Sequence, residues 1–186
     1  IEKSSLSYQK ITLENDGTFN VDISLENPKV IIGSHCWRSE GLGFCLTDEA
    51  SLGHSGDLAV NLDIDLSAID YLFLPQDTEV ISQIKGDVKV KWSKQEAITA
   101  KAKFSMSPGY LKVSDEFNQQ KISQWSKGQL AFTLDENHFS NTFELMDMDD
   151  LPLININSSL KFIDSFPIES SCLSGMLAIW MSRNFY

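Results

Sequence analysis

Apolar and polar positions alternate with a period of two along most of the chain, and helical spacing is scarce. The clearest run is Leu58, Val60, Leu62, Ile64 and Leu66, with Asn61, Asp63 and Asp65 between its members. A second row is Val88, Val90 and Trp92, set against Asp87, Lys89 and Lys91. Ile98, Ala100, Ala102, Phe104 and Met106 make a third row, and Leu130, Phe132 and Leu134 a fourth. The fifth, Ile154, Ile156, Leu160 and Phe162, is interrupted by Ser158. Successive side chains of a strand point to opposite faces, so each segment is dry on one side and wet on the other.

The pattern predicts strands over Leu6–Leu13, Phe19–Leu25, Lys29–Gly33, Asp57–Leu66 and Val80–Trp92. Further strands are predicted over Ile98–Met106, Tyr110–Ser114, Gln129–Leu134, His138–Leu145 and Leu153–Phe162. Turn residues separate them: Asn15-Asp16-Gly17, Asn27-Pro28, Ser107-Pro108-Gly109 and Asp135-Glu136-Asn137. Asn15-Asp16-Gly17 reads as a hairpin turn, because Asp and Gly tolerate positive φ. Ser67–Leu74 is the one helical break, ahead of Pro75, and Asp115–Trp125 reads as a helix or a loop. Asn61–Leu66 followed by Ile69, and Phe143–Met148 followed by Leu151, share a strand leading into an acidic turn and form a loose internal repeat. The tail from residue 163 to 186 alternates little and stands apart from residues 1–162.

A chain of 186 residues with 42% hydrophobic content is large enough for one domain with a sizeable core. Its formal net charge of -11 repels phosphate, which excludes nucleic-acid binding and electrostatic docking on anionic headgroups. Contact with uncharged acyl chains is left open by that charge. The chain starts at Ile1 within patterned sequence and shows no signal peptide, which reads as a segment of a longer polypeptide. The longest apolar run, Cys172–Met181, is broken by Ser174 and Gly175 and is too short to span a bilayer.

Cys36 and Cys45 point to an oxidising compartment, while Cys172 leaves an odd count and a free or intermolecular thiol. A Cys36–Cys45 disulfide would close a short loop worth about 3 kcal/mol, with Trp37 packed over it. The alternative is a metal site of His35, Cys36, Cys45 and His54, although the close cysteine pair of structural zinc is missing. Catalysis finds little support. His54 stands near Ser51, Ser55 and Asp57 in a glycine-containing loop, without a G-x-S-x-G or a phosphate-cradling glycine motif. Asp147, Asp149 and Asp150 lack the glycine and terminal glutamate of a calcium loop and read as a solvated turn. No cofactor and no catalytic residue is expected.

The run Ile32-Gly33-Ser34-His35-Cys36-Trp37, with Cys45-Leu46, Gly56, the alternation Val60–Leu66, Pro75 and Gly86-Asp87-Val88-Lys89-Val90-Lys91-Trp92, resembles the TamB family. The resemblance covers the first half in order and spacing; from Ser93 to Phe162 the strand pattern alone carries over. It implies an all-β fold: an elongated, curled antiparallel or mixed sheet forming a U-shaped trough with a hydrophobic lining, a β-taco. It also implies a periplasm-spanning, inner-membrane-anchored protein that passes phospholipids towards the outer membrane. Such a protein supports outer-membrane protein assembly with the barrel partner TamA. The expected groove lining is Leu58, Val60, Leu62, Ile64, Leu66, Val88, Val90, Trp92, Phe104, Met106, Phe132 and Leu134. The implied partners are phospholipid acyl chains, a TamA-like barrel and outer-membrane protein clients. Taken alone, the alternation equally fits a core sealed between two sheets. The other readings are an assembly factor that pairs its strand edges with client polypeptides and an extracellular β-sandwich binding module. For the last, the tryptophans Trp37, Trp92, Trp125 and Trp180 are too scattered to make a platform.

Overall fold

A computed structural model describes residues 1–8, 11–24, 28–75, 77–94, 96–114, 119–163 and 166–174. Strand dominates the described residues, and every strand pairing is antiparallel. The first strands are β1 (Ser5–Tyr8), β2 (Ile11–Asp16), β3 (Val21–Ser24), β4 (Lys29–Ile32) and β5 (His35–Ser39). Next come β6 (Leu42–Leu46), β7 (Ala50–Gly53) and β8 (Gly56–Asp65). A single helical turn, α1 (Leu66–Ile69), runs into a 3-10 turn at Asp70–Leu72. Then follow β9 (Thr78–Ile81), β10 (Gln83–Trp92), β11 (Thr99–Met106), β12 (Gly109–Ser114) and β13 (Gln120–Trp125). The last are β14 (Lys127–Asp135), β15 (His138–Met146), β16 (Pro152–Ile163) and β17 (Phe166–Ser174).

Fourteen strands form one open sheet whose main path is β1-β2-β5-β6-β8-β10-β11-β14-β15-β16-β17, and β13-β12-β9 form a second sheet. The register shows that both derive from one up-and-down meander of long strands. β2 and β3 lie end to end beside β5 and β4, since Asp16 faces Cys36 and Val21 faces Ile32. β6 and β7 likewise lie end to end, with Leu46 facing His35 and Ala50 facing Ile32. The ladder is interrupted between the halves, at 17–20, 33–34 and 47–49. At the opposite end of the strands a second interruption separates β9 from β10, β11 from β12 and β13 from β14. The order β9-β12-β13 repeats the order β10-β11-β14 across that line. Interrupted ladders let a sheet change direction, and the result here is a curled sheet that does not close into a barrel.

The two seams hold nearly all of the deep core. Among the described residues the buried apolar side chains are Phe19, Leu46, Ala50, Val80, Ala102 and Trp125, and the buried polar ones are His35 and Ser82. At the first seam the His35 ring stacks on Phe19 with centroids 3.8 Å apart, and Trp37 meets both rings edge-on. His35 Nδ1–H donates to the Gly33 carbonyl at 2.7 Å, and its buried Nε2 has no partner among the described residues. At the second seam Ser82 Oγ donates to the Ser107 carbonyl at 2.8 Å, and the Gln83 amide donates to Ser107 Oγ at 2.9 Å. Trp125 Nε1 donates to the same carbonyl at 2.9 Å, so side chains satisfy backbone groups that the broken ladder frees.

Several expectations are corrected. Leu6–Leu13 is a pair of strands, with Leu6 opposite Leu13, and Val80–Trp92 breaks at Ser82. Asn15-Asp16-Gly17 is no hairpin turn. Gly17 adopts φ +88°, yet the turn lies within the β2–β3 interruption, and β3 pairs with β4. Gln120–Trp125 is a strand, and three strands at His35–Ser39, Leu42–Leu46 and Ala50–Gly53 were not predicted. Part of the Asp115–Trp125 stretch, residues 115–118, lies outside the described residues, as do residues 175–186. The Ser67–Leu74 break is present as α1 and its 3-10 turn. Asp65 stops β8 by accepting hydrogen bonds from the Ser67 amide at 3.0 Å and its hydroxyl at 2.6 Å. The second copy of the loose repeat ends alike, with Asp147 Oδ1 accepting from the Asp149 and Leu151 amides at 2.8 Å.

Candidate functional site

The strand registers bring the apolar rows together into one continuous face. Leu58 faces Val90, which faces Ala100, then Leu134, Phe139 and Leu160. The next row runs His35, Leu46, Val60, Val88, Ala102, Phe132, Asn141 and Ser158. Beyond it lie Trp37, Phe44, Leu62, Gly86, Phe104, Leu130, Phe143 and Ile156. The fourth row is Leu42, Ile64, Ile84, Met106, Gly128, Leu145 and Ile154. The alternation seen along each strand is thus in phase across neighbouring strands, which a one-residue slip would abolish.

Every expected lining residue in the sheet, Leu58, Val60, Leu62, Ile64, Val88, Val90, Trp92, Phe104, Met106, Phe132 and Leu134, is half-buried: none is sealed and none stands fully in water. Leu66 departs from the row because it opens α1 once Asp65 has ended β8. A sandwich of this length would enclose its central rows between two layers. The only lining-face position of β10, β11 or β14 buried below a tenth and bearing a side chain is Ala102, at 2% exposure. Its partners across the ladder are the larger Val88 and Phe132.

Glycines under rings smooth this face. A methyl group on Gly86 would collide with the Phe104 ring, and one on Gly56 would come within 2.6 Å of the Trp92 indole. The rings occupy the space over the facing glycines, so the lining is flatter than its aromatic content implies. Trp92 Nε1 donates to the Gly53 carbonyl at 3.0 Å, which holds the indole at the end of the panel.

The opposite face is charged. Lys85 pairs with Asp63 at 3.3 Å, and Asn61 Nδ2 donates to Asp87 at 3.1 Å. Cys36 and Cys45 also lie there, directly opposed in register and joined by a disulfide with a Cα–Cα distance of 4.0 Å. Trp37 therefore does not cover the bridge: it projects to the other face and stacks on Phe44 at 4.8 Å. The bridge accounts for both cysteines of the suggested metal set, and His35 points into the aromatic seam. Among the described residues no group of three metal-ligating side chains converges. Asp150 pairs with Lys127 at 2.9 Å, and the nearby ammonium holds its carboxyl below the usual aspartate range. In the small sheet Tyr110 donates to Glu79 at 2.6 Å with Lys112 at 3.4 Å. The phenol hydrogen bond chiefly lowers the Glu79 carboxyl, and the same bond raises the Tyr110 hydroxyl.

Sequence reasoning passed over Trp37, Phe44 and Leu46, which extend the face through β5 and β6. The signal was present in His35-Cys36-Trp37 and Gly43-Phe44-Cys45-Leu46, where each cysteine takes the wet position between dry neighbours.

A long antiparallel sheet with one charged face and one accessible apolar face defines a trough-forming β-protein. The chain belongs to the TamB family: the family model described as TamB, N-terminal domain, matches residues 1–177. The match runs well beyond the first half that carries the sequence motif. No solved structure matches the chain. Membership indicates a periplasmic, envelope-associated protein of the translocation and assembly module system. Among the described residues no helix is long and apolar enough to cross a membrane.

Proposed function

We propose that the apolar face is a section of a conduit that shields phospholipid acyl chains on their way towards the outer membrane. The conduit would work within an inner-membrane-anchored protein that cooperates with a TamA-like barrel. The observation that supports this reading is the in-phase apolar face whose large side chains are half-buried rather than sealed from β8 to β16. Leaving a large apolar side chain wet forfeits about 1.5–3 kcal/mol. An acyl chain restores much of that, at about 0.8 kcal/mol per buried CH₂, so a sixteen-carbon chain gains on the order of 10 kcal/mol before ordering costs. The attraction is non-directional, so a lipid slides along the face without breaking specific bonds. The protein makes and breaks no covalent bond in this role and is not an enzyme.

Native mass spectrometry of gently purified protein tests the proposal. Co-purified phospholipid is the expected result; protein that stays empty when offered phospholipid vesicles contradicts it. A second reading draws on the sheet edges, because among the described residues β1 and β17 each pair on one side only. An unfolded outer-membrane client adding a strand there would crosslink to edge positions, whereas lipid would crosslink to the lining.

A further inference from the structure

From β8 to β16 the lining carries a polar interruption away from the seams. Asn141 on β15 faces Ser158 on β16, and Phe132 on β14 faces Asn141 from the other side. Phe139 and Phe143 flank Asn141 on its own strand, on the same face. Both polar residues are half-buried. The Ser158 hydroxyl donates to Asn141 Oδ1. In that arrangement the amide oxygen is the acceptor, and the Nδ2 amino group has no partner among the described residues.

We propose that Asn141, oriented by Ser158, is a hydrogen-bonding station that holds an acceptor oxygen at the polar end of a lipid lying in the groove. The proposal rests on the lipid-conduit reading and adds the position at which the lipid pauses. A hydrocarbon chain passing this point leaves the amide donors unpaired in an apolar setting, which is unfavourable. An ester carbonyl or a phosphate oxygen satisfies them in that apolar setting. The lipid therefore has a preferred register on a face that otherwise grips it without direction. Ser158 acts through Asn141 and is a positioning residue.

Three probes separate the two oxygen sources: a diacyl phospholipid, its dialkyl-ether counterpart and the corresponding diacylglycerol. The ether lipid keeps the phosphate and lacks the carbonyls; the diacylglycerol does the reverse. Binding of each to the whole chain is measured for the native protein and for Asn141→Leu, Asn141→Asp and Ser158→Ala. Asn141→Leu continues the apolar row, and Asn141→Asp keeps the shape while removing the donors, so a folding failure in one leaves the other informative. The native protein should bind the diacyl phospholipid about five to ten times more tightly than either Asn141 variant, the effect of one or two lost hydrogen bonds. Whichever of the other two probes keeps that preference identifies the oxygen held, and Ser158→Ala should lose part of it. All three probes binding the native protein and the variants equally overturns the station while leaving the conduit intact. No binding of any probe overturns both. Client crosslinking that changes in the variants while lipid affinity does not also overturns the station.

Discussion

The seams and the panel between them use the same residue types for opposite ends. At the seams Phe19, Leu46, Val80 and Trp125 are each at most 7% exposed and packed or hydrogen-bonded into place. On the panel formed by β8, β10, β11 and β14, the leucines, valines and phenylalanines of the lining face remain half-exposed. The seams also differ from one another. The first is held by stacked rings around His35, the second by serine hydroxyls and an indole N–H that replace ladder bonds. The contrast teaches that shape is maintained along two lines, which frees the surface between them to stay open for a ligand. Stability and function should therefore respond to different substitutions.

The largest expected effect is at a seam. Trp125→Ala removes a buried indole and its bond to Ser107, and should lower unfolding stability by about 3–5 kcal/mol in a urea titration. Phe132→Ala on the panel should cost less than half as much; equal losses would erase the distinction between the regions. Replacing Cys36 and Cys45 together by Ser should lower stability by about 3 kcal/mol through the loop-closure term, with lipid occupancy unchanged, because the bridge lies on the charged face. Val90→Asp reverses the pattern. It should cost about 1 kcal/mol of stability, since the site is already partly wet, while reducing lipid occupancy about tenfold. A strong folding defect with native lipid binding would indicate a sealed core instead.

The smallest effect concerns Glu79. Its carboxyl is lowered, first by the Tyr110 hydrogen bond and then by Lys112, against the opposing effect of burial. A lowered folded value means that its contribution is present above the unfolded pKa and is lost as pH falls through the folded one. The stability difference between the native protein and Glu79→Gln should accordingly be visible at neutral pH and vanish in acid. A difference that persists unchanged below the carboxylate range would show that the ionised carboxylate is not what stabilises the small sheet.

The central strands were legible because Leu58–Ile64, Val88–Trp92 and Ala100–Met106 alternate strictly enough for one face to be read without knowing the partner strands. The seams were not. Ser82 and Ser126 carry no breaking signal of their own, and although Ser107-Pro108-Gly109 reads as a turn, the line of breaks depends on bonds between positions distant in sequence, such as Ser82 with Ser107. Gln120–Trp125 was missed because its sidedness is inverted: Ile122 is exposed while Ser123 is half-buried. Leu66 shows the reverse failure, since it continues the alternation but Asp65 caps a helical turn before it can join the sheet. The interruption at Ser158 was visible in the fifth row, but its pairing with Asn141 required the β15–β16 register.

Val88 and Lys89 offer the most direct test, because they are adjacent on β10 and face opposite sides of the sheet. A photo-crosslinking amino acid placed at each in turn, in protein exposed to phospholipid vesicles, reports which face meets lipid. An open apolar trough predicts lipid adducts from position 88 and not from position 89. Adducts from neither position, or equally from both, would contradict it.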